Sequence, residues 1–289
     1  MKLPPFAYAR PASIAQAVAL LAAHDGEAKP LAGGQSLMPM LAFRVAAPSL
    51  IVDLGKLPEL QHITVSEAGI TLGAMVRWRD ILTDAHLRSA HPLLAAAIAH
   101  VGHDQIRNRG TVGGSLAHAD PAAEMPGIAV TCEAEIAVIG EAGARVIAAA
   151  DFFLGTLTTA LKPDEIITEI RLPPWPLERR FGFAEFARRH GDFALAGAAL
   201  FYDRDDAGEA RNGQARNVHV GVIGVADRPL RLPAVEDVLN GSEIAETTIA
   251  AAAAAARAAV DPPDDIHGSG AYRRELVGVM VERALRSAL

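Results

Sequence analysis

Apolar residues along this chain recur with different periods, and these periods predict a succession of helices and strands. After Ser13, a residue type that caps helices, apolar side chains return every three or four positions up to Leu21, which predicts a helix. The segment 93–101 predicts a second helix, which ends near Gly102. Short segments rich in Ile, Val and Leu predict buried strands at 50–54 and 69–73 and alternating strands at 135–139 and 166–172. Short strands mixed with helices favour an α+β fold.

A proline-rich segment, Leu172–Pro176, predicts the main domain boundary, because three prolines within four residues cannot continue a strand. We therefore expect a first domain at 1–176, with subdomains at about 1–55 and 56–176, and a second domain at 177–289. In the second domain we predict strands at 181–186, 194–202 and 218–225, an alanine-rich helix over 250–256 and a last helix over 270–289. The predicted apolar face of the last helix contains Tyr272, Leu276, Val279 and Met280.

Charge and cysteine content exclude several classes of function. The 289 residues include 27 Lys and Arg against 34 Asp and Glu, a net charge of −7 that disfavours nucleic-acid binding. No apolar run is long enough for a transmembrane segment and no apolar signal region follows Met1, so we expect a cytoplasmic protein. Cys132 is the only cysteine, so this chain alone cannot ligate an iron–sulfur cluster. It lies in an apolar stretch and is expected to be a buried small side chain.

Two segments with paired glycines carry the strongest indication of a ligand. The first glycine segment is Leu31, Ala32, Gly33, Gly34, Gln35, Ser36 and Leu37, and the second is Thr111, Val112, Gly113, Gly114 and Ser115. Glycine lets a backbone approach a ligand closely and adopt positive φ, and successive N–H groups form a concavity that favours an anion. Two such segments suggest one long ligand with phosphate in its middle. The alternative is two tight turns without a ligand, since neither segment matches a P-loop or a G-x-G-x-x-G fingerprint.

The longer stretches around both glycine pairs, Leu31–Pro39 and Gln105–Pro126, resemble the FAD-binding medium subunit of the molybdenum hydroxylases, the family of xanthine dehydrogenase and carbon monoxide dehydrogenase. The resemblance extends over essentially the whole chain. It implies an N-terminal FAD-binding domain of two α+β subdomains, of the vanillyl-alcohol-oxidase (PCMH) type. It also implies a C-terminal domain made of a three-stranded sheet with a helical bundle.

The resemblance implies that both glycine segments contact FAD. Glu124 stands where relatives have an aspartate that binds the flavin side chain, and Ile167 where an apolar residue meets the flavin ring. Phe193 corresponds to an aromatic residue that lies against the isoalloxazine; the alternative is a core phenylalanine at the start of a strand. Asp192 orders that loop or approaches the ring edge. The resemblance implies no catalytic acid, base or nucleophile and no metal site in this chain.

Arg107 and Arg109 flank the second glycine segment, where they either add positive potential to the site or lie in solvent. In the function implied by the resemblance, a large partner subunit with a molybdenum–pterin cofactor oxidises the substrate. Two [2Fe–2S] clusters in a small partner subunit pass the electrons to FAD in this chain, in an expected dimer of heterotrimers. The alternatives are a self-contained flavin reductase or oxidase and a flavin-free assembly subunit. Carbon monoxide, aldehydes, purines and N-heterocycles all remain open as substrates of the complex.

Overall fold

The structure is a computed structural model and describes residues 2–205 and 213–289. The first part of the chain forms a parallel three-stranded sheet in the order β1-β3-β2, covered by helix α1. Helix α1 begins after Ser13, whose hydroxyl accepts the N–H of Gln16, as the sequence predicts. The elements of this part are β1 (Ala7–Ala9), α1 (Ile14–Ala22), β2 (Ala28–Leu31), α2 (Leu37–Ala42) and β3 (Leu50–Asp53).

The middle of the chain folds into a five-stranded antiparallel sheet in the order β4-β5-β10-β6-β7. Its central strand β10 pairs Ile170 with Leu72 on one side and with Ile136 on the other, and all three side chains lie in the core. The strands are β4 (Ile63–Ser66), β5 (Gly69–Gly73), β6 (Glu135–Gly140), β7 (Gly143–Ala148), the short pair β8 (Phe153–Gly155) and β9 (Thr158–Thr159), and β10 (Ile166–Leu172). The helices are a 3-10 turn (Pro58–Leu60), α3 (Trp78–Thr83), α4 (Ala85–Ala90), α5 (Pro92–Ile98), α6 (Asp104–Arg107), α7 (Val112–His118), α8 (Glu124–Thr131) and α9 (Ala149–Phe152).

The last part of the chain forms an antiparallel sheet in the order β11-β12-β13-β14, with α11 and α12 packed against it. Its fourth strand, which the resemblance did not imply, contains only two residues. The α+β class is confirmed. The elements are β11 (Arg180–Phe186), β12 (Ala196–Asp205), β13 (Gln214–Ile223), β14 (Leu230–Arg231), α10 (Pro233–Leu239), α11 (Glu246–Ala259) and α12 (Gly270–Ser287).

The buried face of α12 differs from the predicted one. Leu276 and Met280 are buried as expected, but Tyr272 is 45 % exposed. Arg273 takes an inner position instead, because its guanidinium donates to the carbonyl oxygens of Leu195 and Gly224 at 2.8 Å each. Periodicity alone misses this, since a buried arginine is stable only where tertiary structure supplies acceptors.

Helix α8 joins the middle of the chain to the last sheet. Two glycines make the close contact possible: a Cβ at Gly221 would lie 1.8 Å from Thr131 Oγ1, and one at Gly127 would lie 2.5 Å from Ile223 Cγ2. Helix α8 is also the next helix after α7, which contains most of the second glycine segment, so this packing helps to position that segment relative to the last sheet. Within the described ranges, no helix is long and apolar enough to span a bilayer.

Candidate functional site

The two glycine segments meet at a single cavity of about 590 Å³, within the usual size range of small-molecule sites. The cavity extends from the first sheet to the loop before β12. Most of the residues predicted to contact a ligand line it: Ala32, Gly33, Gly34, Gln35, Ser36, Leu37, Thr111, Gly113, Gly114, Ser115, Glu124, Ile167 and Phe193.

Three predicted site residues do not line this cavity. Leu31 ends strand β2, and its carbonyl oxygen accepts the N–H of Leu54 at 3.0 Å. Val112 is fully buried in the core of the middle sheet. Asp192 lies exposed in the loop before β12, where its backbone N–H donates to Arg189. The side chains of these three residues therefore lie outside the cavity wall.

The first glycine segment offers a continuous row of unused donors. Among all hydrogen bonds of the described residues, none uses the backbone N–H groups of 33–37 as donors. Gly34 adopts φ +72°, a left-handed conformation that side chains disfavour. Ser36 precedes helix α2 without capping it through its side chain, which leaves the hydroxyl available as well. Five free N–H groups beside a hydroxyl fit the pyrophosphate of a dinucleotide cofactor.

The first segment also touches the two residues that come just before the second. A Cβ at Gly33 would lie 2.1 Å from the carbonyl oxygen of Arg109 and 2.9 Å from Cα of Gly110. A side chain there would collide with backbone atoms that cannot rotate away. Gly33 is therefore required by its contact with the backbone of Arg109 and Gly110, in addition to any approach of a ligand.

The second glycine segment is the start of helix α7 rather than an open loop. Thr111 caps the helix, and its hydroxyl oxygen accepts the N–H of Gly114 at 3.2 Å. The N–H groups of Val112 and Gly113 donate to the carbonyl oxygens of Val76 and Ala74, at 2.9 and 2.8 Å. Ser115 N–H bonds within the helix. Of this segment's backbone N–H groups, only that of Thr111 has no acceptor among the described residues, so the segment offers a ligand mainly its hydroxyl groups and a close surface.

Neither arginine beside the second segment lines the cavity. Arg107 donates to the carbonyl oxygens of Val101 and Gly102 at 3.1 and 2.9 Å and to the carboxylate of Asp104 at 2.7 Å. Arg107 therefore binds the carbonyl groups of the turn that follows helix α5. Arg109 is exposed, so of the two alternatives its side chain takes the one in which it lies in solvent.

The positive charges at the cavity come from two lysines that sequence reasoning missed. Lys29 and Lys162 line it, and no hydrogen bond or ion pair of the described residues involves either ammonium group. Lys29 lies on β2, only a few residues before the first glycine segment, so its proximity could have been noticed. Lys162 carries no comparable signal, since only the packing of the β9–β10 connection brings it to the same cavity.

Glu124 is a buried acid in the cavity wall. It begins helix α8 and is 8 % exposed. Burial, with a smaller contribution from the negative charge of Glu185, raises the pKa of Glu124 to about 8. Its carboxyl group is therefore protonated at neutral pH and can donate a hydrogen bond.

Phe193 lines the cavity and is 60 % exposed, so the alternative of a core phenylalanine is wrong. Ile167, in contrast, lies in the core of the middle sheet and also forms part of the cavity wall. Cys132 is buried as expected, and burial raises the pKa of its thiol to about 12. No group of side chains suited to a metal ion occurs in the part of the chain that the structure describes.

Two family models match the chain, one after the other. The model described as FAD binding domain in molybdopterin dehydrogenase matches residues 4–175, and the one described as CO dehydrogenase flavoprotein C-terminal domain matches residues 181–288. The chain belongs to the FAD-binding medium subunits of the molybdenum hydroxylases. The family resemblance and the presence of an FAD-binding domain are thereby confirmed.

Curated relatives agree over the full length. The nicotine 6-hydroxylase medium subunit of Paenarthrobacter nicotinovorans is 40 % identical over 288 residues, covering 100 % of this chain and 99 % of the relative. The carbon monoxide dehydrogenase medium chain of Hydrogenophaga pseudoflava is 34 % identical, with 99 % and 97 % covered. These relatives are named as subunits of oxidoreductases.

Solved structures share the same fold. Quinoline 2-oxidoreductase from Pseudomonas putida 86 matches with a TM-score of 0.93 and 38 % identity, covering 100 % of this chain and 98 % of that one. Carbon monoxide dehydrogenase from Hydrogenophaga pseudoflava, in a form that lacks the Mo-pyranopterin moiety, matches with a TM-score of 0.94 and 36 % identity, with the same coverage. The medium subunit described here is therefore an oxidoreductase subunit.

Proposed function

We propose that this medium subunit holds FAD in the cavity between the glycine segments and transfers electrons within a three-subunit molybdenum hydroxylase. A small partner with two [2Fe–2S] clusters supplies the electrons, and a large partner with the molybdenum–pterin cofactor oxidises the substrate. An external acceptor reoxidises this subunit, and two heterotrimers associate as a dimer. The observation that carries the proposal is the row of free N–H groups at 33–37, in a chain of this family.

The residues of the cavity divide the task of holding the cofactor. The N–H groups of 33–37 and the Ser36 hydroxyl donate to the pyrophosphate, while Lys29 and Lys162 balance its charge. Thr111 and Ser115 add hydroxyl groups from the opposite side. Bound FAD supplies electron transfer in one- or two-electron steps, together with the protons that accompany them.

Two further residues influence the cofactor's environment. Phe193, on the last part of the chain, covers one side of the cavity and excludes water from it. Glu124 holds a proton at neutral pH, which avoids a negative charge beside an anionic cofactor. Neither residue needs to form or break a covalent bond. The only cysteine is buried and cannot ligate a cluster, so the iron–sulfur clusters belong to another chain.

Purification of the tagged chain from its native host tests the proposal. We expect a large and a small chain to co-purify, with molybdenum, iron and one FAD for each medium subunit. The isolated chain should reoxidise chemically reduced flavin with an artificial dye but oxidise no aldehyde or purine. Turnover of such a substrate by the isolated chain would support a self-contained flavoenzyme and contradict the proposal.

A further inference from the structure

A second pocket, of about 140 Å³, lies where the proline-rich connector crosses the end of α8 and strands β12 and β13. It shares no lining residue with the FAD cavity. Glu133 and Asn217 are exposed members of its wall, so the pocket is reachable from solvent. The family assignment gives this pocket no role.

His91 contributes a buried donor to this pocket. Its Nδ1 accepts the N–H of Leu94 at 3.2 Å and thereby caps helix α5. Burial lowers the pKa of His91 to about 3, so the ring is neutral and its single proton is on Nε2. That Nε2 is buried and has no partner among the described residues. A buried donor without an acceptor is costly, and a ligand in the pocket would satisfy it.

His219 contributes the complementary acceptor. Its Nδ1 lies 3.0 Å from the carbonyl oxygen of Thr131, which can only accept, so Nδ1 carries the proton. Burial lowers the pKa of His219, which keeps this ring neutral as well. Nε2 therefore retains a lone pair, and no hydrogen bond of the described residues uses it. The pocket thus has one N–H donor and one nitrogen acceptor, from two neutral rings.

The walls between the two histidines are aromatic. The rings of His91 and Trp175 have centroids 4.4 Å apart, and those of Phe201 and His219 are stacked at 4.4 Å. The ring centroids of Trp175 and Phe201 lie 5.4 Å apart, so the two pairs contact each other. A cavity of roughly this volume accommodates a benzene-sized molecule. A single six-membered ring is therefore about the size that the pocket holds.

The charges in the pocket wall cancel locally. The guanidinium carbon of Arg179 lies 4.3 Å from the centroid of the Phe201 ring. The same guanidinium donates two hydrogen bonds to the carboxylate of Asp203, at 2.8 and 3.1 Å. The guanidinium thus already has an anionic partner. An additional ionic ligand would find no uncompensated charge in this pair, so a neutral ligand is favoured.

We propose that this pocket binds a small neutral single-ring lactam, whose carbonyl accepts from His91 Nε2–H and whose ring N–H donates to His219 Nε2. The site is independent of FAD and of the electron-transfer role proposed above. The ligand class follows from the ring-sized volume, the aromatic walls and the two histidines. One histidine donates a hydrogen bond and the other accepts one, so the ligand needs one acceptor and one donor.

Calorimetric titration of the FAD-loaded protein with 2-pyridone tests the proposal. We expect saturable binding, with N-methyl-2-pyridone, which lacks the N–H donor, about tenfold weaker. A crystal soaked with 2-pyridone should contain the ring within hydrogen-bond distance of His91 Nε2 and His219 Nε2. Water alone in the soaked pocket, or no saturation at about 10 mM, would overturn the proposal.

Two variants separate recognition from folding. His91→Asn keeps a side-chain acceptor for the helix cap but removes the Nε2–H donor, and His219→Phe keeps a ring stacked on Phe201 but removes the acceptor. Each should weaken 2-pyridone binding about tenfold while FAD content remains unchanged. The exposed His86, replaced in His86→Asn, provides the matched control and should bind as the unaltered protein does. Unchanged affinity in folded His91→Asn and His219→Phe would refute the proposed recognition.

Discussion

The two glycine segments have nearly the same sequence pattern but different physical roles. In the first, the N–H groups of 33–37 have no acceptor among the described residues, and Gly34 adopts a left-handed conformation. In the second, the N–H groups of Val112, Gly113 and Gly114 all donate within the protein. The same pair of glycines thus leaves donors free for a ligand in one segment and permits close packing of a helix start in the other.

This difference shows that a glycine pair indicates close approach without specifying what approaches. At Gly113 the neighbour is Ala74, and at Gly33 it is the backbone of Arg109 and Gly110, just before the second segment. Only the bonding state of the N–H groups distinguishes a donor surface for phosphate from a packed contact.

Matched alanine substitutions test this comparison most strongly. A Cβ at the buried Gly113 would lie 2.5 Å from Ala74 Cβ and 2.9 Å from its carbonyl oxygen, so Gly113→Ala should lower the free energy of unfolding by about 3 kcal/mol. Gly34→Ala would meet only side-chain atoms at 3.2 Å, so its strain should cost about 1–2 kcal/mol and its main effect should be weaker FAD binding.

Chemical denaturation of the apoproteins and FAD titration separate these two effects. Gly268→Ala is the control, because its added Cβ would make only an ordinary contact of 3.5 Å with Tyr272. Equal stability losses in Gly34→Ala and Gly113→Ala, with equal FAD affinities, would abolish the distinction between the segments.

Glu124, which begins the helix after the second segment, extends the comparison to pH. Its pKa is about 8 in the folded protein and near 4.5 in an unfolded chain. The folded state keeps a proton that the unfolded state releases, so this stabilisation is full below pH 4.5 and is lost as the pH rises toward 8. Relative to Glu124→Gln, the unaltered protein should lose on the order of 3 kcal/mol between pH 5 and pH 8.

Urea denaturation across this pH range measures the effect. Glu67→Gln is the matched control, because Glu67 is exposed. A parallel pH dependence for the Glu124→Gln and unaltered proteins would show that the Glu124 carboxyl is not buried as the structure has it.

The hydroxyl groups of the two segments should differ by a smaller amount. Thr111 caps α7 through its side chain, so Thr111→Val should cost about 1 kcal/mol of stability. Ser36 makes no such bond, so Ser36→Ala should change stability by less than about 0.5 kcal/mol and weaken FAD binding severalfold. An apoprotein carrying Ser36→Ala that melts as low as the Thr111→Val protein would contradict this assignment.

Phe193 faces the same cavity from the last part of the chain, and its replacement should have little effect on stability. Because the side chain is 60 % exposed, Phe193→Ala should cost less than about 1 kcal/mol. It should nevertheless change the visible spectrum and midpoint potential of the flavin by admitting water. Leu177→Ala, at a 95 % exposed position outside the cavity, is the control. An unchanged spectrum in Phe193→Ala would refute contact between this ring and the flavin.

Much of the fold could be predicted because its signals are local. The Ser13 cap, strand β5 at 69–73 and strand β10 at 166–172 follow from residue types and spacing, and the structure has each of them. Helix α5 was predicted over 93–101 but covers Pro92–Ile98, because His91 caps its start and the polar turn around Gly102 follows soon after its end. Element ends depend on individual capping bonds, which periodicity does not report.

The site was less predictable, for reasons of chemistry rather than of sequence length. The paired glycines and the family resemblance were sufficient to predict an FAD-binding chain, and most of the predicted residues line one cavity. The sequence did not reveal that Lys162 lines the cavity. It also did not reveal that the N–H groups of the first segment are free while those of Val112, Gly113 and Gly114 are bonded. Each of these depends on which groups distant segments bring within reach.

The sequence by itself therefore determined the α+β class, the family and the segments that meet at the cavity, because these depend on local spacing and on residue type. Tertiary structure alone decided which N–H groups stay free, that Glu124 keeps its proton at neutral pH, and that Phe193 is exposed. The physical reason is that hydrogen-bond pairing and desolvation are properties of neighbours in space. The partners of Val112 and Gly113, for example, are the carbonyl oxygens of Val76 and Ala74, from a distant part of the chain.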